Sequence, residues 1–204
     1  MTHPDAYRTV DSVSMGEFRD RGSKFLAFLH PCEHESEIKV IADGLRKEQP
    51  GSRHVCHASV LGTINRVERV NDDGEPNGTA GLPILNQLLS AKLTNVALFV
   101  VRYFGGTKLG KSGLIYAYKE SASQAILAAQ MKVKFNRTPM VIRFAYDHTG
   151  SVMQAIERIS YAEILAQHFD QDCSIEVAIP NAEVDKVLHL FDHTDEVNIK
   201  VMDR

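Results

Sequence analysis

Two hydrophobic periods alternate along this chain, and their order lays out its elements. Residues 96–101, VALFVV, are apolar at every position. That is the pattern of a strand covered on both faces, so a central strand is expected over 95–104. Upstream, Ile38, Ile41, Ala42 and Leu45 recur at helical spacing from Ser36 until Pro50-Gly51 stops the helix. Residues 54–61, HVCHASVL, read as a strand and 67–70 as a further one. Residues 7–13 and 24–30 read as a strand pair joined by a polar connection, MGEFRDRGS, that carries Gly16 and Gly22.

Glycine-bearing segments flank the central run on both sides. The acidic loop 71–81, NDDGEPNGTAG, leads into a helix with Pro83 in its first turn, where a missing N–H costs little. Leu82, Leu85 and Leu89 are expected on its buried face, with Ile84 and Leu88 beside them. After the central strand, GGTKLG opens an alanine-rich helix over 112–130, because alanine loses no side-chain entropy on becoming helical.

A polar, basic stretch at 131–139, MKVKFNRTP, marks a boundary, so domains are expected at 1–134 and 135–204. Beyond it come strand 140–146, helix 151–159, strands 163–169 and 174–179, helix 182–191 and strand 197–202. That order, βαββαβ, is the ferredoxin-like split unit, and the fold class is α+β. In the last helix Val184, Val187, Leu188 and Phe191 share one face, leaving Asp185, His189 and His193 toward solvent.

Composition sharpens this only where it excludes something. With 44% apolar and 24% charged residues and no apolar run of spanning length, no membrane partner is expected. The first residues, MTHPDAYRTVDS, lack the basic and apolar regions of a signal peptide, and the three cysteines, Cys32, Cys56 and Cys173, are odd in number and far apart. Both features point to a cytoplasmic protein with reduced thiols. Residues 1–131 carry 15 Lys and Arg against 14 Asp and Glu, and residues 132–204 carry 8 against 12. Neither half is a polycation. Contact with nucleic acid would therefore need a local patch, such as Arg19, Arg21 and Lys24 or Arg102, Lys108 and Lys111.

Three groups of residues carry candidate chemistry. Gly105–Ser112, GGTKLGKS, fits the phosphate-loop pattern between a strand and a helix, with Gly105, Gly106 and Gly110 freeing backbone, Lys111 supplying charge and Ser112 a hydroxyl for Mg²⁺. Against that reading, the segment lies mid-chain and the nearest strand-end carboxylate is Asp147. Asp72, Asp73 and Glu75 bring enough oxygen for a hard cation, although the simpler expectation is that they cap the next helix or pair with Arg102, Lys108 or Lys111. His54 and Cys56 fall on one strand face and His57 on the other, which suits a structural role better than a metal site or a nucleophile with its base. His189 and His193 are simplest as a solvated face. Neither a cofactor nor a resident metal is expected.

NDDGEPNGTAG followed by NVALFVVRYFGGTKLG resembles the IMPACT/YigZ family of two-domain proteins, and the likeness extends to GSKFLA at 22–27 and RHVCHA at 53–58. The resemblance implies a first domain like the second domain of a small-subunit ribosomal protein, with a left-handed βαβ crossover, and a ferredoxin-like second domain resembling domain five of elongation factor G. It also implies contact with RNA or the ribosome, and the leading expectation is a non-enzymatic regulator that contacts RNA, the ribosome or a translation-related protein. Lys111-Ser112 stand where relatives often carry a small residue and glycine, Tyr116 where arginine is frequent, and Asn77 where serine is common. On this reading Arg102, Gly105, Gly106, Lys108, Gly110, Lys111 and Ser112 meet phosphate, and Asp72, Asp73, Glu75, Gly78 and Thr79 form the loop facing them. A nucleotide- or phosphate-binding enzyme using GGTKLGKS with Mg²⁺, and a protein-binding adaptor, stay open as alternatives.

Overall fold

A computed structural model describes residues 3–170, 172–191, 194 and 196–202. Contacts divide the chain into two units, Tyr7–Lys134 and a second from Phe135 onward, which residues 3–6 join. His193, expected on the solvent face of the last helix, lies outside the described residues.

The first unit is built on a five-stranded sheet whose strands are β2 (Ser14–Asp20), β3 (Ser23–Pro31), β4 (His54–Leu61), β5 (Val67–Asn71) and β6 (Val96–Tyr103), in the order β2-β3-β6-β4-β5. The apolar run is the middle strand, antiparallel to β3 on one side and β4 on the other. Its side chains alternate between two cores. Val96, Leu98 and Val100 face helices α2 (Gly81–Ser90) and α3 (Gly110–Ala128), while Ala97, Phe99 and Val101 face α1 (Glu35–Glu48). Helices on both faces leave no polar position on β6 until Arg102, which explains the missing alternation. The first turn of α1 is fixed by Glu37, whose Oε1 accepts from the backbone N–H of His34 at 2.7 Å.

Three expectations need correcting. The stretch MGEFRDRGS is not a connection: residues 14–20 form β2, paired with β3 from Ser14↔Leu29 to Asp20↔Ser23. Strand alternation was hidden there because its first two inward positions are the small Ser14 and Gly16, which lie on the backbone of α3, where Ser14 donates to the Ala125 carbonyl at 2.8 Å. MKVKF is likewise strand β7 (Met131–Phe135), paired with β1 (Ala6–Val10), and Lys132 and Lys134 both bind Asp11. On α2 the buried residues are Pro83, Ile84, Leu85 and Leu88, whereas Leu82 is half exposed, so the apolar face is rotated from the expected one.

The second unit is a four-stranded antiparallel sheet, β8 (Arg137–Phe144), β9 (Glu163–His168), β10 (Cys173–Pro180) and β11 (Val197–Val201), in the order β11-β8-β10-β9. Helices α4 (Thr149–Glu157) and α5 (Val184–Phe191) complete the βαββαβ order, and their residues Val152, Ile156, Val187 and Phe191 join Met140, Ile142, Ile175 and Val177 in one core. Among the described residues, no helix is long and apolar enough to cross a membrane.

Candidate functional site

The acidic loop between β5 and α2 uses its carboxylates one by one. Asp72 turns back on the start of α2: its Oδ1 accepts from the N–H groups of Ala80 (2.9 Å) and Gly81 (2.8 Å), and its Oδ2 from Gly78 (2.8 Å). Burial alone would raise the Asp72 pKa, but these three hydrogen bonds outweigh it and hold the carboxyl below its ordinary value. Asp73, in a left-handed conformation with φ 43°, accepts from Arg46 Nη2 at 2.6 Å and from the Val55 N–H at 2.7 Å. The expectation that these carboxylates cap and pair thus describes the loop, with Arg46 as the partner that the sequence did not single out. Among the described residues, no three of His, Cys, Asp and Glu come together as a metal site.

Glu75 points the other way, into the unit. Its Oε1 accepts from Arg102 Nη1 at 2.5 Å and from the Tyr118 hydroxyl at 2.9 Å, and all three residues are buried. Tyr118 in turn accepts from Cys56 Sγ at 3.3 Å, and burial pushes both of these groups up in pKa, so hydroxyl and thiol stay protonated. The Arg102 guanidinium lies over the rings of Phe25 (5.5 Å) and Phe104 (5.7 Å). A buried arginine tied to a buried glutamate is a neutral floor, not a free phosphate-binding cation.

His54 stands beside that floor, its Nε2 3.9 Å from Glu75 Oε1. Its Nδ1 lies 2.7 Å from the backbone carbonyl of Asp73, which only accepts, so Nδ1 donates to it and the ring is held with Nε2 toward Glu75. Strand register puts it there: His54 pairs with Arg102 across β4 and β6.

Above the floor opens a cavity of about 490 Å³. Pro76, Phe104, Leu109 and Leu114 give it apolar walls, and Arg53, Lys108 and Lys111 give it a cationic rim. All three cations are exposed and none has an ion-pair partner among the described residues. The Arg53 guanidinium is steadied over the Phe104 ring at 5.7 Å. The acidic loop and the second glycine loop therefore do share one cavity, through Glu75 and Pro76 on one side and Lys108 to Lys111 on the other. Asp72, Asp73, Gly78 and Thr79 support the acidic loop without lining it, and Ser112 is exposed in the first turn of α3.

The glycines of GGTKLGKS do different work from one another. Gly105 is pressed against the backbone of Gly22 and Ser23, Gly106 takes φ 89°, and Gly110 takes φ 72° at the start of α3 with open space where a β-carbon would stand. The loop follows a strand antiparallel to both neighbours, whereas a nucleotide hydrolase of the phosphate-loop kind pairs its loop with a carboxylate on a nearby parallel strand. Asp147 belongs to the other unit. Sequence reasoning missed Arg53, His54, Phe104 and Tyr118 as parts of this site. Arg53 and His54 sat visibly in the RHVCHA motif, but only the β4–β6 register connects them with Arg102.

Comparison with known proteins bears on the same stretch. The family model of the Impact N-terminal domain matches residues 21–126, which include every residue of the cavity. An IMPACT family member of Haemophilus influenzae is 31% identical over 181 residues, covering 88% of this chain and 87% of that one. The IMPACT family member YigZ of Escherichia coli is 31% identical over 164 residues, with 79% and 80% covered. The IMPACT family member YvyE of Bacillus subtilis is 37% identical over 121 residues, with 59% and 56% covered. A crystal structure described as that of an hypothetical protein superposes with a TM-score of 0.69 at 25% identity, covering 99% of this chain and all of the other.

Proposed function

This chain belongs to the IMPACT family, and from that premise we propose that it is a cytoplasmic binding protein that contacts RNA of the translation machinery through the cavity of its first unit, and regulates translation by doing so. One observation carries the reading: Arg53, Lys108 and Lys111 stand exposed, without an ion-pair partner among the described residues, around an apolar-walled cavity whose own buried cation, Arg102, is already neutralised by Glu75. Unpaired rim cations are the groups that release counterions on meeting phosphate, and they position a nucleic acid without reading its sequence. The overall charge of −3 favours no general attraction to polyanions, so binding of this kind depends on the rim.

Binding of structured RNA and of ribosomes, measured across a salt series, tests the proposal. Affinity should fall linearly in log–log form as salt rises, and Lys108→Ala with Lys111→Ala should weaken it and flatten the slope by about 1–2. An affinity that the double variant leaves untouched would remove the site.

A further inference from the structure

We infer that the cavity is a binding site for an organic carboxylate with an apolar body, whose two oxygens meet the Nε–Nη2 edge of Arg102 side by side. The inference goes beyond the RNA reading above and does not rest on it; three observations of the cavity carry it.

First, Arg102 is spent in charge but not in donors. Glu75 occupies Nη1 at 2.5 Å. Nε is buried with no hydrogen-bond partner, and Nη2 has none among the described residues, in a residue only 7% exposed. These two nitrogens share the side-on edge of the guanidinium, whose parallel N–H bonds match the two coplanar oxygens of a carboxylate. A buried donor without an acceptor is costly, so that edge calls for a ligand that accepts.

Second, the arginine stands at the cavity. It continues the alternation of Val96, Leu98 and Val100 on the face of β6 that looks toward α2 and α3, and it lines the cavity of about 490 Å³. The rings of Phe25 and Phe104 lie 5.5 and 5.7 Å from its guanidinium carbon and hold the group in place.

Third, charge and surface favour a carboxylate. Arg53, Arg102, Lys108 and Lys111 line the cavity against the carboxylate of Glu75, an excess that draws an anion in. Pro76, Phe104, Leu109 and Leu114 suit an apolar body, and the volume lies in the range of small-molecule sites. A phosphate monoester would bring a second charge beside Glu75 and a third oxygen toward apolar walls, where a charge without a partner is expensive to bury. A carboxylate spends its single charge on the fork.

The test uses the full chain and four probes: benzoate, its neutral isostere benzamide, acetate, which lacks the apolar body, and phenyl phosphate. Binding is followed by NMR through the Arg102 Nε–H signal and the backbone amides of Leu109, Gly110 and Leu114. Benzoate is expected to move these signals together and saturably, and to bind about tenfold more tightly than benzamide or acetate. Arg102→Lys keeps a charge for Glu75 but loses the fork, so it should abolish the preference for benzoate over benzamide; if that variant fails to fold, the Arg102 Nε–H signal of the wild type decides. An Arg102 signal that benzoate leaves unmoved, equal affinities for benzoate and benzamide, or tighter binding of phenyl phosphate than of benzoate would overturn the inference. None of these measurements involves RNA, so salt-dependent RNA binding stands or falls on its own.

Discussion

Gly22 and Gly105 meet backbone to backbone: a β-carbon added to Gly22 would lie 2.9 Å from the Gly105 carbonyl oxygen, and one added to Gly105 would fall inside the Gly22 peptide group. The turn between β2 and β3 and the loop after β6 are thereby held in contact, with Gly105 N–H donating to Ser23 Oγ at 3.2 Å. Two motifs 82 residues apart are the two halves of one contact.

Gly105→Ala should therefore destabilise the protein by about 2–3 kcal/mol through overpacking. Gly44→Ala, in α1 with nothing near the added methyl, should stabilise it by about 0.5–1 kcal/mol through helix propensity. Urea denaturation of both variants checks the pair, and a neutral Gly105→Ala would show that the loop yields.

Asp72→Ala removes three hydrogen bonds at the start of α2 and should cost about 1–2 kcal/mol at neutral pH. Because the folded-state pKa of Asp72 lies below its ordinary value of 3.8, the contribution is present above that value and is lost as pH falls through the folded one. Denaturation curves of the wild type and the variant should thus converge as the pH is taken from neutral to about 2.

Glu75→Gln leaves the guanidinium of Arg102 buried without its counter-charge. A loss of about 3–5 kcal/mol is expected, of which Arg102→Met in the same chain should restore a substantial part. A double variant as unstable as the two single changes added together would mean that the pair is not coupled.

His30 meets the Phe99 ring edge-on and His57 meets it at a tilt, and His30 Nε2 and His57 Nδ1 are buried with no hydrogen-bond partner among the described residues. Burial lowers both pKa values from 6.5, since the interior disfavours the charged ring. The unfolded chain then takes up protons that the folded one refuses, so the stability these residues confer is present above about pH 6.5 and is lost as pH falls below it. Imidazole titration by NMR should place both below the ordinary value of 6.5, and a titration at or above it would contradict the burial argument.

Much of this architecture was legible because it rests on runs of like residues. VALFVV announced a doubly covered strand, Ile38 to Leu45 a helix, and the last 70 residues a split βαβ pattern. What escaped was structure whose strands lack a run of alternating apolar residues. In β2 the glycine that reads as a turn is there to let a strand lie on α3, and in β7 the lysines that read as a linker are held by Asp11. The two loops of the site stand out for their glycines, and Arg102 reads both as a phosphate ligand and as a partner for Asp72, Asp73 or Glu75; the path of the loop decides between them by bringing Glu75 to it. His54 reached the cavity through strand register, which a single sequence does not encode locally.

The group that orients His54 is a main-chain carbonyl. No side-chain replacement at position 73 can delete it, so the ring's orientation is inherited from the course of the loop and not from the identity of any one residue. Replacing the exposed Lys108 or Lys111 recolours the entrance and leaves the bearing of the ring untouched; a change of ligand preference would then begin at the doorway and reach the back wall last.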